Sequence, residues 1–223
     1  MDHQPRPGVC PKKRARDRLI RLAQRHPAWA LGFADETWWS RQARPALHTW
    51  TDADQCLHLV EQTVAKADPD PKALACYGLL VRSREATAPS PDELWLRFVD
   101  GRPVSAITTQ FLDWCGAKLE ARGTTALLLV WDNASWHKSA QVRTWLRARN
   151  QQVKRTGIGV RILSCLLPIQ SPWLNPIEPK WVHTKRKVVE ATHLLTSQEL
   201  TERVYAAFHQ PHENPLAIPE KVA

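Results

Sequence analysis

The sequence predicts a mixed α/β domain, and three observations lead there. Short, uniformly apolar runs such as "ALLLVW" (126–131) suit strands buried on both faces of a sheet. Apolar residues at helical spacing, such as Ile107, Phe111, Leu112, Cys115 and Leu119, suit helices packed on such a sheet. Both kinds of segment are interspersed along 223 residues whose 43% apolar content supports one substantial core.

The chain opens with polar residues. Lys12, Lys13, Arg14, Arg16, Arg18, Arg21 and Arg25 then surround Leu19, Ile20 and Leu22 in a short basic helix ended by Pro27. That helix reads either as a DNA-contacting arm or as a solvated helix held on the core by its three apolar residues. Residues 1–27 are therefore expected to be a leader or linker, 28–210 the domain, and 211–223 a loose tail. "WALGFADETWW" reads as a strand ending in the acids Asp35 and Glu36. "CLHLVEQTVA" fits a strand or a helix, and "KALACYGLLV", after the turn-like "DPDP", fits a strand. "ATAPSP" is a loop, and "ELWLRFVDG" a short strand stopped by Gly101. "SAITTQFLDWCGAKLEARG" is a helix closed by Gly123, and "SAQVRTWLRARN" another. "VRILSCLLP" reads as a further buried strand, and the residues after Asn175 as a helix running into "KRKVVEATH". "SQELTERVYAAF" is the last helix, with a start that local signals do not fix.

A formal charge of +9, from 31 basic and 22 acidic residues, points to a polyanionic partner such as nucleic acid. The five cysteines are scattered singly, without zinc-site spacing, and read as reduced thiols. No apolar run is long enough to span a membrane and the first residues lack a signal-peptide core, so a cytoplasmic protein is expected.

Three acids stand out by position. Asp35 and Asp132 follow apolar strands, and Glu178 follows "VRILSCLLP" through a proline-rich turn. The stretch "SPWLNPIEPKW" has two readings: Asn175, Pro176 and Glu178 can begin a helix as cap, first residue and capping-box glutamate, or the frame can hold Glu178 for chemistry. Ligands and catalytic groups gather at strand ends in open sheets. Carboxylates converging there repel one another unless cations bind, and hard oxygen ligands suit Mg²⁺ or Mn²⁺. Two such ions about 3.5–4 Å apart would serve in-line phosphoryl transfer on a nucleic-acid backbone. Asn133, His137 and Asn175 are expected to support the acids, with turn-forming and helix-starting roles as the alternative for Asn133 and His137. Lys180, Lys185, Arg186 and Lys187 are placed to grip phosphates near Glu178, beside Lys12, Lys13, Arg14, Arg16 and Arg18 of the leader; a merely solvated basic surface is the alternative.

"FADETWW", "LLLVWDNASWHKS" and "LLPIQSPWLNPIEPKW" resemble, in order and context, the motifs of the IS630 group of DDE transposases, related to the Tc1/mariner superfamily. The resemblance covers roughly residues 29–208. It implies an RNase H-like fold, a mixed five-stranded sheet flanked by helices, with Asp35, Asp132 and Glu178 as the catalytic and metal-binding acids and Glu36 a neighbour outside the triad. It further implies two Mg²⁺ ions (or Mn²⁺), double-stranded DNA as substrate (transposon ends and target, commonly TA), a homodimer when active, and a nucleoid-associated prokaryotic protein. The helix-turn-helix region of full-length relatives is not found in this chain, so a separate helix-turn-helix polypeptide is expected. The interval from Asp132 to Glu178 is long for the group, with "RNQQVKRTGIG" read as an insertion, and Ile169, Gln170 and Pro179 depart from the usual pattern. The competing readings are an inactive DNA-binding remnant and another RNase H-like nuclease.

Overall fold

The computed structural model describes residues 9–42, 65–82, 92–188 and 193–218. In chain order these form α1 (Val9–Arg25), β1 (Trp29–Ser40), β2 (Ala73–Arg82), β3 (Glu93–Asp100), α2 (Ser105–Glu120), β4 (Ala126–Trp131), α3 (Ala140–Thr156), β5 (Arg161–Leu166), α4 (Glu178–Val188), α5 (Ser197–Ala207) and β6 (Leu216–Ala217). The expectations for "CLHLVEQTVA", except Ala65, and for "ATAPSP" lie outside the described residues.

The strands make one mixed sheet in the order β5-β4-β1-β2-β3-β6. β1, β2 and β3 pair antiparallel, whereas β4 runs parallel to β1 and β5 parallel to β4. The chain thus leaves β1 toward one side of the sheet and later returns through α2 to continue on the other. Between β1 and β4 lies the switch point at which open sheets leave a crevice beyond their strand ends.

Side-chain alternation divides the core into two layers. One packs Ile107, Phe111, Leu112 and Leu119 of α2 and Val142 of α3 on Ala30, Ala34, Leu127 and Leu129. The other packs Ile177 and Trp181, with Leu200 and Val204 of α5, on Leu31, Phe33, Leu128 and Val130; Leu19, Ile20 and Leu22 of α1 lie against this second layer. Every residue of β4 is buried, as a strand covered on both faces requires.

Several expectations need correction. β1 does not end at its acids: its pairing with β4 stops at Phe33, but pairing with β2 continues to Ser40, so Asp35 and Glu36 lie within the strand. β5 is an edge strand with exposed Leu163 and Ser164, and so is not buried on both faces. Most of "RNQQVKRTGIG" is helix and not loop, because residues 149–156 continue α3 until Gly157 takes a left-handed conformation (φ 71°). The sheet has six strands instead of five, since Leu216–Ala217 pair with Val99–Asp100. Part of the segment expected to be loose is tied: Arg97 and Gln110 donate to the carbonyls of Asn214 and Ala217, and residues 219–223 lie outside the described residues.

Candidate active site at the β1–β4 crevice

Asp35 and Glu36, adjacent on β1, point to opposite faces of the sheet. Asp35 faces α4 and is 7% exposed, and its Oδ2 accepts a 2.8 Å hydrogen bond from Trp181 Nε1. Its strand partner is Gly78, where an added Cβ would lie 2.4 Å from the Trp181 ring. Glycine there leaves the room that lets the indole reach Asp35. Burial foremost, then the charges of Glu178, Glu36 and Asp132, push the Asp35 carboxyl up to about 8 despite the Trp181 bond.

Asp132 follows the last residue of β4. Its Oδ1 accepts from Ala134 N (2.9 Å) and is bonded to His137 Nδ1 (2.8 Å), so Oδ2 is the oxygen available to the crevice. His137 is buried, stacks on Trp131, and uses Nε2 to bond Glu36 Oε1 at 2.8 Å. Burial alone would lower the His137 pKa, but its bonds to Asp132 and Glu36 outweigh this and raise it to about 9, so the ring is an imidazolium. Burial likewise works to raise the Asp132 carboxyl, while His137 and the Ala134 N–H overcome it and hold the group low.

Glu178 opens α4, and burial followed by the Asp132 charge raises its carboxyl. The Asn175 capping-box reading is not realised. Asn175 Nδ2 instead donates to Ala34 O at 3.1 Å, across the chain on the residue before Asp35. Asp132, Asn133, Asn175 and Glu178 line one cavity of about 320 Å³, closed by residues 167–172. Gln170 in that rim has φ 53°, a left-handed conformation uncommon without glycine.

Asp35, Asp132 and Glu178 are therefore brought together, each within reach of the others' charge. Asn133 donates to Leu167 O and accepts from Lys12 Nζ (3.2 Å), which also reaches Leu167 O (3.4 Å). Arg16 Nη1 donates to Leu174 O at 2.9 Å. Two leader residues expected on DNA thus fasten α1 to the loops around the acids, whereas Lys13, Arg14 and Arg18 stay exposed. Lys180, Arg186 and Lys187 are exposed on α4, and Lys185 lies over the Trp39 ring, where burial lowers its pKa against the pull of Asp35 and Glu178.

Trp181 and the pairing of Glu36 with His137 escaped the sequence reading. Glu178, Trp181 and Lys185 share one helical face at i, i+3 and i+7, a spacing that could have flagged the tryptophan. Among the described residues, ligand atoms of Glu36, Asp132 and His137 also lie within 4.8 Å of one another. Both ring nitrogens of His137 are taken by carboxylates, so this group organises Asp132; the three acids, all oxygen donors with surplus negative charge, suit a hard divalent ion better.

Residues 99–201 match the DDE superfamily endonuclease family. The matched span holds Asp132 and Glu178, while Asp35 lies before it. The chain is similar in structure to the Mos1 transposase paired-end complex with left transposon end (TM-score 0.62, 13% identity, 95% of this chain and 57% of that one). It is also similar to the Mos1 mariner paired end complex with Mn (TM-score 0.56, 11% identity, 93% and 60%) and to the mariner Mos1 paired end complex with Mg (TM-score 0.55, 14% identity, 93% and 56%). The fold is that of a transposase catalytic domain, RNase H-like. This chain spans little more than half the length of those Mos1 chains. A search of the curated proteins gave no match. No described helix is long and apolar enough to cross a membrane.

Proposed function

We propose that this chain is the catalytic domain of a DDE transposase, a metal-dependent DNA endonuclease and strand transferase. The observation that carries the reading is the convergence of Asp35, Asp132 and Glu178 in the β1–β4 crevice, where burial first and then the neighbouring carboxylates push the Asp35 carboxyl up to about 8. The DDE superfamily endonuclease match over two of these acids supports it.

In this reading Asp35, Asp132 and Glu178 would hold Mg²⁺ or Mn²⁺, two ions in all. Bound there, the ions supply charge neutralisation and activation of the attacking oxygen. The residues around them orient the ligands: Trp181 fixes Asp35, and the imidazolium of His137, itself held by Glu36, fixes Asp132. Asn133, tied to Lys12, keeps the loop after Asp132 against Leu167. In cleavage, water oxygen bonds to phosphorus as the bond to the 3′-oxygen breaks, and that oxygen leaves as a hydroxyl. In strand transfer the oxygen of the freed 3′-hydroxyl bonds to a target phosphorus as the bond from that phosphorus to the target's own 3′-oxygen breaks, and the displaced oxygen leaves as a hydroxyl.

The finer assignment is an IS630-type element inserting at TA, acting as a homodimer on double-stranded DNA in a prokaryotic cytoplasm. The motifs "DNASWH" and "SPWLNPIE" support it. Exposed Lys13, Arg14, Arg18, Lys180, Arg186 and Lys187 are the phosphate contacts, while Lys12, Arg16 and Lys185 act closer to the acids.

Nicking of supercoiled plasmid tests the core of this reading without knowledge of the terminal repeat. We expect nicking in Mn²⁺ or Mg²⁺, none in EDTA, and loss of it in Asp132→Asn assayed well below that variant's melting temperature. Undiminished nicking by the variant would refute it.

A further inference from the structure

We propose that the side-chain oxygen of Asn175 accepts a hydrogen bond from a water in the hydration shell of the divalent ion held by Asp35, Asp132 and Glu178, making Asn175 a positioning residue for that ion. The inference rests on the metal-dependent reading above.

Asn175 is 2% exposed. Its Nδ2 donates to Ala34 O at 3.1 Å. Because a carbonyl can only accept, this bond fixes the orientation of the amide: the NH₂ end faces β1 and Oδ1 faces away from it. That oxygen is buried and has no hydrogen-bond partner in the protein. Leaving a buried acceptor unpaired costs about 1–3 kcal/mol, so such groups ordinarily have a partner.

The surroundings indicate which partner. Asn175 lines the same cavity as Asp132 and Glu178, is three residues before Glu178, and is bonded to the residue before Asp35. The acids that share this cavity accept hydrogen bonds when ionised and then cannot satisfy Oδ1. A donor held in the cavity that Asn175 lines would pair it. Mg²⁺ dehydrates reluctantly and keeps several waters, whose polarised O–H groups need acceptors. A neutral amide oxygen meets that need without adding charge to a site already carrying three carboxylates. The bond to Ala34 makes the arrangement rigid, because it ties the acceptor to the strand that carries Asp35.

Binding of Mn²⁺ alone to the full chain, followed by the EPR signal of the free ion and without DNA, tests this. Asn175→Ala is expected to bind Mn²⁺ about 10–100-fold more weakly than the parent, as for other residues that support metal ligands through a hydrogen bond. Equal affinity would overturn the proposal. A second measurement leaves Asn175 in place: pulsed EPR of Mn²⁺ in protein carrying ¹³C-asparagine, with Asn133→Gln removing the other asparagine of the cavity. A weak coupling, from a carbon one water away from the ion, is expected; no coupling, or the strong coupling of a direct ligand, would overturn it. Parent protein and Asp132→Asn binding Mn²⁺ equally weakly would instead refute the metal site itself, and this inference with it.

Discussion

Gly78 carries no chemistry, yet the position of Asp35 depends on it. The Trp181 indole fills the space where a Cβ would stand and reaches Asp35 through that gap. Gly78→Ala should therefore cost about 1–3 kcal/mol of stability as an overpacking change, measured by urea unfolding, and should weaken Mn²⁺ binding by displacing the indole. Unchanged values for both would mean that the helix yields freely. Asp132 and Glu178 stand out in the sequence because each follows a segment of clear character, and Asp35 because an apolar run reaches it, although β1 continues past it. The hydrogen bonds that orient them do not. Trp181 reads locally as one more core aromatic, and Glu36 as the neighbour of a more important residue. Their roles come from which strand or helix faces them, which depends on tertiary packing.

The basic helix α1 belongs to the domain more closely than its composition suggested. Lys12 and Arg16 reach the carbonyls of Leu167 and Leu174, on either side of the rim of the cavity, while Leu19, Ile20 and Leu22 lie against the core. Removing residues 1–25 should lower the melting temperature by several degrees and reduce Mn²⁺ affinity; a truncated domain with the melting temperature of the parent would restore the view of α1 as a free arm. Arg41 ties the far end of β1. It is 3% exposed and donates to Leu195 O, Asp68 and Asp70 O. Arg41→Met should destabilise the fold by about 3 kcal/mol in urea unfolding, since the partners are left unpaired. The strands with an all-apolar run or clear bounds, β4 and β3, were readable, as was α2 from its periodicity. β5 was misread because an edge strand and a covered one share the same apolar start. The second half of α3 was missed because Gln152, Lys154 and Arg155 offer no apolar rhythm, although they are good helix formers and Gly157 marks the end. Nothing local announces the two residues of β6.

At the level of the whole molecule, the site makes stability depend on pH and metal together. In the metal-free fold Asp35 keeps its proton up to about pH 8, whereas in the unfolded chain it titrates in the ordinary carboxylate range. The proton-bound state therefore favours folding at low pH, and this contribution is lost as pH rises toward 8. His137, raised to about 9, acts in the same direction, its contribution complete below its ordinary value and lost as pH passes 9. Asp132, held low, opposes both only in acid. In EDTA the melting temperature should fall between pH 6 and 9, Asp35→Asn should flatten the fall, and Mg²⁺ should offset it; a flat profile in the parent would contradict the coupling of the acids. The formal charge of +9 predicts DNA binding that weakens steeply with salt and discriminates little between sequences. Tight, salt-insensitive binding to one terminal repeat would contradict that. The most direct test of the central claim is Glu178→Gln, because a helix start accepts glutamine almost as well as glutamate and a divalent-ion site does not. The parent and this variant should be compared on a pre-cut DNA end in Mn²⁺ or Mg²⁺. We predict that the variant melts within about two degrees of the parent, as for a surface-type change, and still binds DNA, while cleavage and strand transfer are lost; parental activity in the variant would return Glu178 to the start of a helix and contradict the three-acid site.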